Sequence, residues 1–423
     1  MLEGLGRGRM RLRVGDGVLL GAALALLLVG ILTVYSSTVL TEIARPGYFL
    51  RHLVAAGVGL ACGVLLAWLP PRGLDDLSPW IYALAMLLLA AVLVVGEAHG
   101  GARRWLPLGP LHMQPSEPAK LALILFLAHY LAGRRRDLAR GGSIVGALLI
   151  IAVPFALVVR QPDLGTALAF AATGTLMLVW AGMPWLTLGV LVSPLVTAIL
   201  AGLRLVGTAL SPLWSLAWIP VAAVWVMVLR HRRVGWHWVA LFLCVHLIVA
   251  FQTPRLWNSL APYQQARVST FLDPERDPSG AGYQVIQSKI AIGAGSFSGR
   301  GFGRGSQKAL SFLPRQHTDF AYSVIGEELG FLGAAGVLVL FAVFLLRALE
   351  LARRIRTPFG SLVAVGVAAL IFYHGAINIG MTLGLVPVTG LPLPFLSFGG
   401  SFLVTTLAAV GLLLGVAARR AER

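Results

Sequence analysis

The chain has 423 residues, of which 57% are hydrophobic and only 12% are charged. This composition is too apolar for a soluble globular surface of that size and excludes the soluble and disordered classes. The net charge of +17 comes mainly from arginines scattered between apolar runs, so it does not indicate a nucleic-acid partner. Cys62 and Cys244 both fall inside apolar runs, which argues against a disulfide framework.

Apolar runs long enough to cross a hydrocarbon core as helices recur along the whole chain. We therefore predict an all-α polytopic membrane protein with about twelve transmembrane helices, in a single domain over residues 1–423. The predicted spans lie near residues 17–40, 49–69, 80–96, 118–132, 143–159, 164–182, 185–203, 213–229, 236–251, 323–346, 361–384 and 397–417.

The distribution of basic residues predicts the orientation in the membrane. With the N-terminus in the cytoplasm, 19 basic residues fall on the cytoplasmic side and 6 fall in the short outer loops. The C-terminus is then cytoplasmic too, and the longest polar segment, residues 252–322, forms a large outer loop. Because the other loops are short, we expect the functional residues at the outer face.

The first outer motif, RRWLPLGPLHMQPSEPAK at residues 103–120, contains Arg104 and Trp105 and leads into the fourth span. The Ser-Glu-Pro sequence around Glu117 is typical of a helix N-terminus. Glu117 and Lys120 are three residues apart on one helix face, where they form an ion pair or serve a site. Lys120 enters an apolar run, which favours a partner or an anionic ligand.

Two further outer motifs place an aspartate just before a span. Asp163 in RQPDLGTA precedes the sixth span, and Asp319 in FLPRQHTDF precedes the tenth, directly after His317 and Thr318. Each aspartate either caps its helix or belongs to a functional site, and these residues alone leave both interpretations open.

Deeper in the tenth span, Glu327 and Glu328 need partners, and we expect a structural pairing for at least one of them. The outer loop before this span is rich in glycine and carries Lys289 and Lys308. The glycines allow tight turns and close backbone approach, but they indicate phosphate binding only weakly. The basic residues suit a diphosphate headgroup or an anionic lipid surface, with a solvated basic loop as the alternative.

Together these motifs resemble the RodA/FtsW/SpoVE (SEDS) family of shape, elongation, division and sporulation proteins. The segments RRWLPLG with QPSEPAK, QPDLGTA, GAGYQVIQSKIAIG, FLPRQHTDF with GEELGFLG, and GLVPVTGLPLPFLSFGGS occur in the family's order and spacing. Within the family, the chain is most similar to the elongation-type RodA branch. The family usually has ten spans, so residues 204–251 resemble an inserted pair of helices.

The resemblance implies a glycosyltransferase that polymerises peptidoglycan strands from lipid II at the outer face of the bacterial plasma membrane, in cell elongation and shape maintenance. It also implies a class B penicillin-binding transpeptidase, the nascent lipid-linked glycan and other elongation-complex membrane proteins as partners, and no organic cofactor. By motif, Asp319 corresponds to the family's essential aspartate. The expected substrate-binding residues are Arg104, Trp105, Glu117, Lys120, Asp163, Lys289, Lys308, His317, Thr318 and Ser397.

Chain growth requires a base that takes the proton of the attacking sugar hydroxyl, and Asp319 is the candidate. The departing diphosphate requires basic side chains, a divalent cation such as Mg²⁺ or Mn²⁺, or both, and a cation would bridge Asp319 or Glu117 to the diphosphate. A lipid II flippase and a noncatalytic scaffold for the transpeptidase are the alternative functions. The concentration of polar motifs at one face favours the enzyme.

Overall fold

The computed structural model describes residues 14–41, 44–99, 102–108, 111–134, 142–206, 216–260, 262–274, 282–305 and 316–419. The chain divides into two compact units. Unit 1 comprises Met1–Gly182, Gln287–Leu385 and Thr389–Arg423, and unit 2 comprises Met183–Ile286 and Val386–Val388. That all of them form a single domain stays a prediction.

Within the described residues the chain forms fourteen α-helices. They are α1 (Val14–Thr38), α2 (Pro46–Trp68), α3 (Pro71–Val95), α4 (Ser116–Ala132), α5 (Ile144–Arg160), α6 (Leu164–Ala181), α7 (Trp185–Gly202), α8 (Trp218–His231), α9 (Trp236–Ser259), α10 (Pro262–Leu272), α11 (Tyr283–Ala294), α12 (Ala321–Arg354), α13 (Pro358–Leu383) and α14 (Gly400–Ala418). Each predicted span overlaps one of these helices, so the predicted fold class, an all-α polytopic membrane protein, is confirmed.

Nine of the described helices are long and apolar enough to cross a membrane, namely α1, α2, α3, α6, α7, α9, α12, α13 and α14. The other three predicted spans are shorter. They correspond to α4 and α5, with 17 residues each, and to the 14-residue α8. At 1.5 Å per residue, a 17-residue helix is about 25 Å long, slightly less than the hydrocarbon core.

The segment predicted as one long outer loop, residues 252–322, contains more helix than the sequence suggested. α9 continues to Ser259, and α10 and α11 follow it. Neither α10 nor α11 has an apolar run of transmembrane length, which is why the hydropathy pattern did not separate them from loop. The predicted inserted pair, residues 204–251, includes α8 and most of α9 and lies in unit 2.

A small antiparallel sheet between α3 and α4 was not predicted. It consists of β1 (Glu97–His99), β2 (Ala102–Leu108) and β3 (Leu111–Met113), in the order β1-β2-β3. Its strands are too short to show a clear alternation of apolar and polar residues. Arg104 and Trp105 lie on the central strand β2, which packs against α3.

α13 lies at the centre of unit 1 and is buried along almost its entire length. It packs against α4, α6, α12 and α14, while α2 packs against α14 and α1 against α12. A helix that is apolar on all sides needs neighbours on all sides, and α13 has them. Its polar side chains are therefore held within protein.

α12 is interrupted at Gly330, where φ is +66° and ψ is −162°. A break inside a span frees backbone N–H and C=O groups that lipid cannot satisfy. The glycine-rich segment at residues 295–303 supplies their partners. The hydrogen bonds run from Phe331 N to Ser296 O (2.9 Å), Leu332 N to Phe297 O (3.2 Å), Arg300 N to Glu327 O (3.0 Å) and Gly301 N to Glu328 O (2.9 Å).

Close backbone approach explains the glycines in this segment, as the sequence predicted. At Gly299, φ is +83°, and an added Cβ would lie 2.1 Å from the carbonyl oxygen of Glu328. The side chain of Glu328 in turn accepts a hydrogen bond from Ser36 Oγ of α1 at 2.5 Å. The expected structural pairing of at least one of the two glutamates is thus confirmed.

Candidate active site

Asp319 lies in the turn that leads into α12 and is only 7% exposed. The N-cap residue of α12 is Phe320, so Asp319 does not hold the capping position that the sequence left open. Asn378 of α13 fixes this turn. Its Nδ2 donates to the backbone carbonyl of Asp319 at 2.9 Å and to that of Leu391 at 2.7 Å. One side chain therefore joins the Asp319 turn to the segment between α13 and α14.

Ser397, which the sequence predicted to bind substrate, forms a second connection to the same turn. Its Oγ donates to the carbonyl of Thr318 and accepts a hydrogen bond from the backbone N–H of Leu393 at 2.8 Å. Next to it, Phe398 N donates to the carbonyl of His317 at 2.8 Å. In the described structure the Ser397 hydroxyl is thus engaged with backbone, and it positions the turn.

His317 lies in an aromatic cluster beside this turn. Its ring centroid is 5.0 Å from that of Tyr48 and 5.8 Å from that of Phe398. Burial lowers the pKa of His317 below its usual value, and the nearby charge of Arg45 lowers it further. The ring is therefore neutral at neutral pH, so it offers a hydrogen bond or a stacking surface rather than a positive charge.

Lys120 is the most deeply buried basic side chain of the site, with only 2% exposed. Its Nζ lies 3.0 and 2.9 Å from the two carboxylate oxygens of Glu117, so the predicted ion pair is present. Nζ also lies 3.2 Å from Nε2 of His374, and because an ammonium group can only donate, the histidine is the acceptor. The same Nζ lies 5.3 Å from the centre of the Phe402 ring. A buried cation is thus held by a carboxylate, an imidazole and an aromatic face.

Asp163 combines the two roles that the sequence left open. Its Oδ1 accepts from the backbone N–H of Thr166 at 3.2 Å and so caps α6. Its Oδ2 faces the sheet segment, 3.4 Å from Nη1 of Arg104 and 3.5 Å from Nε2 of Gln114. Arg104 also donates to the carbonyls of Gln161, at 3.0 Å, and Pro162. The carboxylate and the guanidinium thereby tie β2 to the start of α6.

α13 connects the Asp319 turn with the Lys120 ion pair. His374 and Asn378 are four residues apart and hence on one face of the helix; the first contacts Lys120 and the second contacts the backbone of Asp319. Sequence reasoning missed both residues, because they lie within an apolar span away from the motifs. The available signal was the presence of a histidine and an asparagine inside that span.

Further contacts gather the predicted residues at one end of the helices of unit 1. The hydroxyl of Tyr373, next to His374 on α13, donates to the carbonyl of Gly165 at the start of α6 at 3.0 Å. The site therefore lies where α4, α6, α12 and α14 begin and α13 ends. It includes Arg104, Glu117, Lys120, Asp163, His317, Thr318, Asp319 and Ser397.

The structure does not bring every predicted residue into this network. Trp105 is half-buried on β2, opposite Glu97 of β1. Lys289 has an exposed side chain on α11, which fits a solvated lysine. Lys308 lies outside the described residues. The substrate-binding roles of these three residues stay predictions.

In the described part of the chain, no group of three or more His, Cys, Asp or Glu side chains is arranged to hold a metal ion. Asp319 and Glu117 were the predicted metal ligands. With this donor set, a cation would need further ligands from the substrate. Diphosphate oxygens are suitable ligands for the hard cations Mg²⁺ and Mn²⁺.

Comparison with known proteins identifies the family. The FtsW/RodA/SpoVE family model, described as a cell cycle protein, matches residues 18–216 and 203–422. The peptidoglycan glycosyltransferase MrdB of Escherichia coli strain K12 is 35% identical over 412 residues, which cover 96% of this chain and 95% of MrdB.

Solved structures agree. One solved structure is described as "Structural coordination of polymerization and crosslinking by a peptidoglycan synthase complex". A chain in it is 32% identical to this chain, with a TM-score of 0.69, and the match covers 96% of this chain and 98% of that chain. The rod shape determining protein RodA of Thermus thermophilus is 28% identical, with a TM-score of 0.62 and coverage of 96% and 97%. Both the sequence and the fold therefore place this chain in the FtsW/RodA/SpoVE family.

Proposed function

We propose that this chain is a peptidoglycan glycosyltransferase of the RodA type that transfers the lipid-linked growing glycan onto lipid II, in cell elongation and shape maintenance. The observation that carries the proposal is the buried network in which α13 joins the Asp319 turn to the Glu117–Lys120 ion pair. In a chain 35% identical to a glycosyltransferase, this network supplies a carboxylate, a fixed cation and a rigid frame at one end of the helices.

Asp319 serves as the general base in this proposal. A sugar hydroxyl of lipid II attacks the anomeric carbon of the lipid-linked chain, and its proton passes to the Asp319 carboxylate. The bond from the anomeric carbon to the diphosphate breaks, and the diphosphate leaves with the electron pair. A positioned base typically contributes about 10²–10⁴-fold. The hydrogen bonds from Asn378, Ser397 and Phe398 fix the backbone of the turn that carries this carboxylate.

Two cations of the site differ in access to the departing diphosphate. The Arg104 side chain is 28% exposed and can meet an incoming anion directly, with a planar guanidinium suited to phosphate oxygens. Lys120 is buried against Glu117 and acts as a fixed charge within the frame. Asp319 or Glu117 would hold a Mg²⁺ or Mn²⁺ ion, which would neutralise further negative charge on the diphosphate.

The charge pattern of the sequence supports the proposed placement in the cell. With 19 basic residues in the cytoplasmic segments and 6 in the short outer loops, it favours cytoplasmic N- and C-termini and a site that faces outward, where lipid II is polymerised. A class B penicillin-binding transpeptidase is the proposed partner, and other elongation-complex membrane proteins join it. The solved complex that couples polymerization and crosslinking supports the transpeptidase.

The decisive experiment compares Asp319→Asn with the wild type in glycan polymerisation from purified lipid II. The cognate transpeptidase is present, but transpeptidation is blocked. We expect the variant to lose about 100-fold or more of the activity, because the amide cannot accept the proton. Asp75→Asn is the matched control. Asp75 pairs with His129 at the other end of α3 and α4, 2.7 Å away, and its loss should leave polymerisation intact.

The outcomes separate the alternatives. An active Asp319→Asn variant would show that the base is assigned wrongly. If neither protein built strands and cells kept their shape with the variant, the scaffold alternative would gain support. A wild-type protein that builds no strands but moves lipid II across vesicle membranes would be the flippase. The proposal is supported if wild type and Asp75→Asn build glycan strands and Asp319→Asn does not.

A further inference from the structure

A second feature of unit 1 lies at the opposite end of the same helices from Asp319. A cavity of about 360 Å³ opens where α6 and α12 end and α13 begins. We call it the arginine pocket. Its lining includes Trp180, Arg353, Ile355, Arg356, Pro358 and Ser361.

Two arginines of the pocket have no carboxylate partner in the described part of the chain. The nearby carboxylate, Glu350, is already engaged, since it binds Arg347 at 2.6 Å and also Arg354. Arg353 and Arg356 lie at exposed positions, three residues apart, across the end of α12. Among the described residues, no carboxylate neutralises the positive charge that lines the pocket.

The other polar groups that line the pocket, on Trp180 and Ser361, already have hydrogen-bond partners within the protein. Trp180 Nε1 donates to Ser361 Oγ at 2.9 Å, and this hydroxyl donates to the carbonyl of Ala352 at 2.8 Å. Ile355 is buried and forms an apolar floor. The N-cap residue of α13, Thr357, makes no side-chain capping bond, so the positive end of the helix dipole adds to the two guanidinium groups.

Position and chemistry together identify the ligand. The pocket lies at the ends of membrane-spanning helices, where tryptophan is typical of the level of the lipid headgroups. Arginine binds phosphate oxygens in a bidentate manner, and basic pockets between transmembrane helices accept anionic headgroups. We propose that the arginine pocket binds the phosphate of an anionic phospholipid, in the leaflet opposite the candidate active site. In the proposed orientation this is the cytoplasmic leaflet.

The test is native mass spectrometry of the purified full-length chain in detergent, titrated with dioleoylphosphatidylglycerol and, separately, with zwitterionic dioleoylphosphatidylcholine. We expect wild type to prefer phosphatidylglycerol, and Arg353→Gln/Arg356→Gln to bind it about tenfold more weakly. Arg347→Gln/Glu350→Gln/Arg354→Gln removes two guanidinium groups from the same region together with the carboxylate that they bind, so that no carboxylate is freed beside Arg353, and it should bind like wild type.

Three results would overturn the proposal. They are equal binding of the two lipids by wild type, unchanged binding in the pocket variant, and an equal loss in the control variant, which would reflect general charge. Inorganic phosphate distinguishes the sources of the anion. Millimolar phosphate should leave bound phosphatidylglycerol in place, whereas its displacement would assign the pocket to a free anion.

A lysine variant protects the test against misfolding. Arg353→Lys/Arg356→Lys keeps both charges and should retain most of the binding that the glutamine variant loses. Equal loss in the lysine and glutamine variants, at an unchanged thermal unfolding midpoint, would also contradict recognition by charge.

Discussion

In unit 1, buried polar side chains join helices to the turns that carry the candidate site, whereas in unit 2 the buried histidine joins only two helices to each other. His374 of α13 contacts Lys120, and Asn378 on the same helix face holds the Asp319 turn. In unit 2, His246 of α9 lies 3.1 Å from Ser193 Oγ and 2.8 Å from Thr197 Oγ1, both on α7.

The difference lies in what each network would lose on substitution. Both ring nitrogens of His246 have hydroxyl partners, and Ser193 Oγ also donates to the carbonyl of Val190 in its own helix at 3.0 Å. If the histidine is lost, the Ser193 hydroxyl therefore keeps a partner. The network of unit 1 contains a buried ion pair, in which removal of either charge leaves the other without its counter-charge. Substitutions in unit 1 should accordingly cost more than equivalent ones in unit 2.

The largest effect is expected from Lys120→Met, which removes one charge of a buried pair. Glu117 would then remain buried without compensation, a change that typically costs about 3–5 kcal/mol. The measurement is the unfolding free energy of the purified protein in detergent, together with glycan polymerisation. Arg347→Met is the exposed counterpart, because it breaks the ion pair with Glu350 and should cost about 0–1 kcal/mol.

The double variant Lys120→Met/Glu117→Gln separates stability from function. Without either charge, most of the lost stability should return, while polymerisation should stay low because the fixed cation is absent. Equal stability of the single and double variants would show that the cost of Lys120→Met does not come from an uncompensated charge.

The next largest effect is expected from Gly299→Ala, in the segment that completes the broken α12. The added Cβ would meet the Glu328 carbonyl oxygen at 2.1 Å, at a φ of +83° that alanine rarely adopts. We expect a loss of about 1–3 kcal/mol in unfolding free energy. Gly293→Ala is the matched control, because nothing lies within 4 Å of its Cβ position in α11, where alanine favours helix. Comparable losses in both variants would contradict the role of close approach.

The sequence predicted the helices of the fold well, for a physical reason. A membrane-spanning helix must be long and apolar whatever it packs against, so a continuous run of apolar residues in the sequence reveals it. The three-stranded sheet and the helices α10 and α11 are short and have no such requirement, and they were missed. Glycines at residues 295–303 indicated close approach, but only the structure shows that α12 is the element approached.

The candidate site was predictable only in part. Its charged members stand at span ends on one side of the membrane, so Asp163 and Asp319 stood out as candidates. Asn378 did not, because its contact to Asp319 joins residues 59 positions apart, and no local pattern reports it. Ser397 was noted for its motif, but its hydrogen bonds to the backbone of Thr318 and Leu393 form only on folding and could not be predicted.

The smallest effect, and the most direct test of the comparison between the units, comes from the two buried histidines. His374→Leu removes an acceptor of the Lys120 ammonium, and we expect polymerisation to fall about tenfold, the equivalent of about 1.4 kcal/mol. His246→Leu removes hydrogen bonds between two helices, which average about 0.6 kcal/mol within membranes, and should leave polymerisation unchanged.

His374→Gln distinguishes a positioning role from packing. The glutamine amide oxygen can accept from Lys120, so this variant should recover most of the activity that leucine loses, at an unchanged unfolding midpoint. If glutamine and leucine reduced activity equally, the hydrogen bond to Lys120 would not be what matters at this position. If His246→Leu reduced polymerisation as much as His374→Leu, the buried histidine of unit 2 would support activity as strongly as that of unit 1, and the distinction between the units would fail.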